Sequence, residues 1–206
     1  MILAKNMILI GASGRNAGKT TVARALIAAF KSRCDIAALK ITCITHRYAR
    51  CPHGSGGCGV CADTKADCEL TEEKDSASGK DTSELLSAGA VRVFWLRTLY
   101  DAIADGYADF ASRVSQDMLV ICESNSLRKS VEPGCFIMVN NTKHATLKPT
   151  ARDVLAFANI SVTIDEPRAP DFSGIIARLD IRQEADGIVV AAARQQEQGA
   201  VWHTNL

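Results

Sequence analysis

The feature that most constrains this chain is an apolar run that ends directly in a glycine-rich segment. Residues 7–10, M-I-L-I, are typical of a strand buried on both faces of a parallel sheet. The segment G-A-S-G-R-N-A-G-K-T-T follows at residues 11–21. Val22, Leu26 and Phe30 then recur at helical spacing and predict a helix over residues 18–31. A strand, a glycine loop and a helix in this order indicate an α/β fold.

The glycine-rich segment resembles the P-loop pattern G-x-x-x-x-G-K-[ST]. Gly18, Lys19 and Thr20 fit the pattern, whereas Ser13 stands where its first glycine is expected. Such a loop binds polyphosphate because inward-facing N–H groups and a helix N-terminus stabilise negative charge. Lys19 is expected to reach the outer phosphates of ATP or GTP, and the Thr20 hydroxyl to ligate Mg²⁺. The predicted nucleotide-binding residues are Gly14, Arg15, Asn16, Ala17, Gly18, Lys19, Thr20 and Thr21.

Apolar runs continue to alternate with helical segments along the chain. Strands are predicted at residues 36–41, 91–96, 118–122, 136–139, 160–164 and 188–190, and helices at 81–90, 99–114 and 151–158. This order predicts a single domain over residues 1–206, a three-layer P-loop NTPase with a mostly parallel, helix-covered sheet. Residues 43–80 lose the periodicity and are rich in Gly, Cys, Asp, Lys and Ser. We interpret them as a cysteine-rich insertion.

Two acidic residues are candidates for catalysis and for binding Mg²⁺. In open α/β sheets, functional side chains follow the carboxyl ends of strands. Glu123 comes directly after the predicted strand at 118–122, so it is expected to hold Mg²⁺ through water or to orient an attacking water. Asp81 opens the helix after the insertion, where a carboxylate equally stabilises the helix dipole. Lys40 lies near the end of the second strand and either faces the phosphates or is a solvated surface lysine.

Four of the eight cysteines cluster within residues 51–68 of the insertion. Cys51, Cys58, Cys61 and Cys68 have the spacing C-x6-C-x2-C-x6-C. The central pair, Cys58 and Cys61, can bind one ion from a tight turn, and four thiolates suit tetrahedral Zn²⁺ or an iron–sulfur cluster. His46 and His53 are alternative ligands. The spacing predicts a metal site and leaves zinc or iron–sulfur open, the alternative being a loop of reduced or redox-active thiols.

Composition argues against several classes of protein. The formal net charge is +1, so a nucleic-acid partner is not expected. No run approaches the ~18 consecutive apolar residues of a membrane span, and the apolar N-terminus is expected to be a strand and not a signal peptide. Clustered cysteines do not fit a secreted disulfide scaffold. The expected location is the cytoplasm.

The order of these motifs resembles a known family. The loop at residues 13–21, the strand ending at Lys40, the segment G-K-D-T-S-E-L-L-S-A-G-A at 79–90 and the strand ending at Glu123 are together similar to the molybdopterin-guanine dinucleotide biosynthesis protein B family. The resemblance covers roughly residues 5–140, and the segment 79–90 is its most specific part.

The resemblance implies a protein that binds GTP with Mg²⁺ and hydrolyses it slowly. It implies an accessory role beside a molybdopterin nucleotidyltransferase, which attaches a guanine nucleotide to the molybdenum or tungsten pterin cofactor. It also implies a homodimer. The functional positions that carry over are Lys19, Thr20, Asp81 and Glu123.

Departures from the family pattern leave other functions open. S-N-S at residues 124–126 and the cysteine insertion allow a maturation factor for another metalloenzyme. N-N-T-K at residues 140–143 does not match the guanine-binding pattern N-K-x-D, which leaves ATP open. A small-molecule kinase or ligase would bind its acceptor through residues 124–128 and turn over ATP fast. A metal or redox sensor would couple nucleotide affinity to the state of the insertion, with negligible turnover.

Overall fold

The computed structural model describes residues 1–44, 66–142, 147–164 and 170–193, which contain nine strands and five α-helices. The strands are β1 (Ile2–Ala12), β2 (Ile36–Ile44), β3 (Cys68–Glu73), β4 (Arg92–Leu99), β5 (Leu119–Glu123), β6 (Val131–Asn141), β7 (Ile160–Ile164), β8 (Leu179–Glu184) and β9 (Gly187–Ala192). The helices are α1 (Lys19–Phe30), α2 (Asp81–Ala88), α3 (Ile103–Ser112), α4 (Pro149–Arg152) and α5 (Ser173–Ile176). Short 3₁₀ turns lie at Tyr100–Ala102, Ser126–Lys129 and Leu155–Phe157.

Seven strands form one sheet in the order β3-β4-β2-β5-β1-β6-β7. The neighbouring strands of this sheet are parallel, except that β3 runs antiparallel to β4. β8 and β9 form a separate antiparallel hairpin. The predicted α/β fold with a mostly parallel sheet is therefore confirmed. Within the described ranges, no helix is both long enough and apolar enough to cross a membrane.

The sheet has a hydrophobic core on each face. Along β1, Ile8 and Ile10 belong to one core and Met7 and Leu9 to the other, because successive side chains of a strand point to opposite faces. All four are fully buried. α1, α2 and the β8–β9 hairpin contribute to the first core, and α3 contributes to the second. This arrangement is compatible with a three-layer α/β fold.

The structure corrects the sequence predictions at β3. This strand lies inside residues 43–80, which are predicted to be irregular. Its sequence C-E-L-T-E-E has weak strand propensity, but it pairs with β4 along its whole length, from Cys68 opposite Thr98 to Glu73 opposite Val93. Pairing with an already formed neighbour overrides a weak local preference. The insertion therefore adds an edge strand to the sheet.

The C-terminal part is also more divided than predicted. The predicted helix at 151–158 is a four-residue helix, α4, followed by a 3₁₀ turn, and α5 and β8 are missed. The hairpin between β8 and β9 turns at Gly187, whose φ of 118° favours glycine. Short elements of this kind have too few periodic positions to be recognised from sequence.

The ends of three parallel strands meet at one edge of the sheet. Ile10 of β1 and Lys40 of β2 are both in register with Glu123, the last residue of β5. Parallel strands present their carboxyl ends at the same edge, where α/β proteins bind ligands. α1 begins at this edge because it follows β1 after a loop of only six residues, 13–18.

Candidate functional site

The loop at residues 13–18 turns through two residues with positive φ. Asn16 has a φ of 54° and Gly18 a φ of 95°. Asn tolerates the left-handed region better than most side chains, and Gly adopts it without a steric cost. A Cβ on Gly18 would also lie 2.4 Å from Cδ1 of Ile164. The backbone conformation therefore requires glycine at position 18, and a side chain there would also displace the end of Ile164.

Ser13, in place of the pattern's first glycine, is accommodated without backbone strain. Among the described residues other than glycine, Asn16 is the one with positive φ, so the Cβ of Ser13 is tolerated. Ser13 is 5% exposed, and its Oγ has no hydrogen-bond partner within the described ranges. Gly14 and Ala17 are also buried, whereas Arg15 and Thr21 are exposed. The loop thus holds a buried hydroxyl that has no partner in the described part of the chain.

Hydrogen bonds hold the start of this loop on both sides. The side chain of Asn125 accepts from the Ala12 N–H at 2.7 Å and donates to the Ala12 carbonyl at 2.9 Å. The Ser13 N–H donates to the Val139 carbonyl at 2.9 Å, and the Ser13 carbonyl accepts from the Lys148 N–H at 3.0 Å. No sequence motif marks Lys148, and Asn125 is predicted only as part of an acceptor-binding segment, because contacts made across the fold leave no local pattern.

The predicted Mg²⁺ ligands Thr20 and Glu123 lie together. Thr20 Oγ1 donates to Glu123 Oε2 at 3.1 Å. Glu123 is 2% exposed, and its second oxygen, Oε1, has no hydrogen-bond partner in the described part of the chain. A buried carboxylate oxygen without a partner is unusual. A hydroxyl and a carboxylate are ligands that Mg²⁺ prefers, so these residues fit the ion or its bound water.

Opposing electrostatic effects meet at Glu123. Burial raises the pKa of Glu123, whereas Lys40, Lys19 and the hydrogen bond from Thr20 lower it, and burial prevails. Burial likewise lowers the pKa of Lys19, although Glu123 opposes the shift. The pKa of Lys40 is also lowered by burial, against the attraction of Glu123. An added phosphate would favour the charged form of both lysines, because an anion near a lysine raises its pKa.

Asp81 contacts Lys40. Its Oδ2 forms an ion pair with Lys40 Nζ, and Lys40 is half-buried. Asp81 also lies in the first turn of α2, where a carboxylate stabilises the helix. Asp81 thus stabilises α2 and contacts a lysine of the candidate site, while its role as a Mg²⁺ ligand stays a prediction. Lys40 connects this residue to Glu123, since Lys40 and Glu123 are in register on adjacent strands.

The segment 79–90 forms α2 and both of its ends. Gly79 and Gly89 have φ values of 71° and 115°, in the left-handed region. Gly89 ends α2, and its N–H lies within reach of the carbonyls of Leu85 and Leu86. The glycines in the G-K-D and A-G-A parts of this segment are therefore explained by the left-handed backbone conformation that each adopts. The first of them, Gly79, precedes Asp81 by two residues.

The predicted cysteine site lies mostly outside the described residues. Cys51, Cys58 and Cys61, with His46 and His53, fall in residues 45–65. Cys68 is the half-buried first residue of β3, where it packs against the core on the α3 side. Across the ranges that the structure describes, no group of three or more His, Cys, Asp or Glu side chains is placed to hold a metal ion. The cysteine site stays a prediction.

These side chains make the sheet edge suited to phosphate and a divalent cation. Lys19 and Lys40 supply positive charge, while Thr20 and Glu123 supply oxygen ligands. Comparison of the chain with protein-family models, curated proteins and solved structures gave no match. The chemistry of this edge therefore carries the functional assignment.

Replacing Glu123 by Gln is expected to raise the thermal unfolding midpoint of the nucleotide-free protein at neutral pH. Burial raises the pKa of Glu123 above its ordinary value of 4.5, so the folded state holds this proton more tightly than the unfolded state. The stability due to this group is present below that ordinary value and is lost as the pH rises through the folded pKa. The uncharged amide avoids this loss.

Unfolding midpoints measured from about pH 4 to about pH 8 with a chelator present test this expectation. The difference between Glu123→Gln and the wild type should grow as the pH rises. Glu132→Gln, at an exposed position on β6, is the matched control and should show no such trend. A Glu123→Gln midpoint below that of the wild type at about pH 8 would contradict the assigned burial effect.

Replacing both Cys58 and Cys61 by Ser is expected to release a bound metal, because serine is a much poorer ligand for Zn²⁺ or iron than thiolate. Elemental analysis of anaerobically purified protein measures this loss directly. Cys135→Ser, at a fully buried position in β6, is the control and should retain the metal. Unchanged metal content in the double variant would refute the cysteine site.

Proposed function

We propose that this protein is a P-loop NTPase that binds a nucleoside triphosphate with Mg²⁺ and hydrolyses it slowly. The observation that carries the proposal is the buried Glu123 carboxylate beside the first turn of α1. One of its oxygens accepts from Thr20 at 3.1 Å, and the other has no partner in the described part of the chain. The G-K-T sequence at residues 18–20 and the left-handed Gly18 support the same assignment.

Each residue of the site has a role in this proposal. Lys19 and the N–H groups of the loop bind the phosphates, since clustered amides and a helix N-terminus attract anions. Thr20 and Glu123 would hold Mg²⁺, which screens phosphate charge when bound. Glu123 also orients the attacking water. Lys40, held by Asp81, stabilises the negative charge that develops on the outer phosphates.

The resemblance to the molybdopterin-guanine dinucleotide biosynthesis protein B family extends the proposal to GTP and to a pathway. The protein is then an accessory factor that works with a nucleotidyltransferase in attaching the guanine nucleotide to the pterin cofactor. The segment 79–90 supports this extension, because its residue Asp81 contacts Lys40 within the site. A cytoplasmic homodimer with Zn²⁺ or an iron–sulfur cluster on its cysteine insertion completes the proposal. ATP as the nucleotide, or maturation of another metalloenzyme, is the alternative.

The side chains of residues 124–126 favour the accessory protein over a kinase or ligase. Ser124 Oγ accepts from the Leu127 N–H at 3.1 Å, and Asn125 holds Ala12 by two hydrogen bonds. A hydrogen bond also joins Ser126 to Cys43 and lowers the pKa of that thiol, against the larger effect of burial. Side chains that bind their own protein are poorly suited to hold an acceptor substrate. One observation favours a metal or redox sensor, because β2 connects Lys40 directly to the cysteine insertion.

Replacing Lys19 by Ala is expected to weaken GTP binding about a hundredfold, because the phosphates lose a charge-assisted partner. Isothermal titration with GTP and with ATP, each with Mg²⁺, measures this loss and the choice of base. Lys5→Ala is the control for loss of one positive charge, since Lys5 is exposed on β1, away from the sheet edge that holds Lys19. Tight triphosphate binding by Lys19→Ala would reject the P-loop assignment.

The wild-type protein is expected to stimulate transfer of the guanine nucleotide when added with GTP and Mg²⁺ to a molybdopterin nucleotidyltransferase. Lys19→Ala should remove the stimulation, because the accessory role depends on bound nucleotide. Chromatographic quantification of the dinucleotide form of the cofactor measures the effect. Equal product yield with and without the protein would contradict the pathway while leaving nucleotide binding intact.

A further inference from the structure

We infer that Lys148 is a further phosphate-binding residue of the site, contributed by a segment that lies outside the glycine-rich loop. The inference rests on the proposed function and adds to it a residue that no sequence pattern marks. Lys148 directly precedes α4, far along the chain from the loop at residues 13–18. Its position beside that loop comes from the tertiary structure alone.

Backbone and side-chain contacts fix the Lys148 segment against the loop. The Lys148 N–H donates to the Ser13 carbonyl at 3.0 Å. Two residues later, Thr150 Oγ1 lies 3.5 Å from Nδ2 of Asn125, the side chain that holds Ala12. The chain is therefore attached next to the loop at two neighbouring points. The Lys148 side chain starts from a fixed place beside the expected phosphates.

The charges around Lys148 are those of a site for an anion. Lys148 is half-buried, and burial lowers its pKa, which Lys19 and Arg15 lower further. Lys19 is the lysine of the glycine-rich loop, and Arg15 belongs to the same loop. Bringing several cations together is unfavourable by itself, because like charges repel more strongly where water is partly excluded. A polyphosphate bound among them replaces this repulsion by attraction.

A buried hydroxyl beside Lys148 points to the same ligand. Ser13, whose carbonyl Lys148 holds, is 5% exposed, and its Oγ has no hydrogen-bond partner among the described residues. A buried polar atom without a partner is costly unless a ligand satisfies it. A phosphate oxygen accepts from a hydroxyl and from an ammonium group at once. Ser13 and Lys148 therefore extend the same phosphate site.

Lys148→Met tests the inference in the full-length protein. The substitution removes the ammonium group and keeps the backbone N–H, so the hydrogen bond to Ser13 is retained. Affinity is measured by isothermal titration with GTP, with ATP and with inorganic tripolyphosphate, the last being a probe that carries no base. We expect Lys148→Met to weaken the binding of the triphosphates and of tripolyphosphate about tenfold or more, and Lys148→Arg to restore most of it.

Arg152→Met is the matched control, because it removes one positive charge from an exposed position on α4, the short helix that follows Lys148. Its affinities should equal those of the wild type. Wild-type affinity in Lys148→Met, with loss of binding in Lys19→Ala, would overturn the role of Lys148 alone. Wild-type affinity in both would overturn the proposed function as well. Weakened binding that Lys148→Arg does not restore, together with a lower unfolding midpoint, would mean a structural role and also overturn the inference.

Discussion

The site depends on one constraint, which is that a carboxylate is buried where three parallel strands end. Glu123 is in register with Ile10 on one side and with Lys40 on the other, and it is 2% exposed. Its charge is stabilised by the hydroxyl of Thr20 and by two lysines, and burial still raises its pKa. A bound cation would relieve this cost, because it compensates the buried charge directly.

The hydrophobic cores on the two faces of the sheet fix the position of the sheet edge at which Glu123 lies. Strands β1, β5 and β6 are covered on both faces, and the side chains that alternate along them fill two separate cores. Asn125 and Lys148 then fasten the start of the loop at residues 13–18 to neighbouring elements. A loop held in this way can keep its N–H groups in place before a ligand arrives, and such preorganisation is what makes electrostatic binding effective.

The cysteine insertion is joined to the same sheet. It leaves at the end of β2 and returns as β3, with Cys43 and Cys68 both opposite Thr98 of β4. β2 also carries Lys40, which contacts Asp81. A change in the insertion would therefore act on a strand that reaches the candidate site.

The sequence by itself determined the order of strands and helices up to β5, apart from β3, and the place of Glu123 at a strand end, because long apolar runs and a glycine loop are local signals. It also marked Lys19, Thr20 and Asp81 as belonging together through a resemblance. Only the tertiary structure decided that β3 is a strand, that Asn125 holds Ala12, and that Lys148 lies beside Ser13. These features depend on pairing between segments distant in the chain, and no local period or propensity records such contacts.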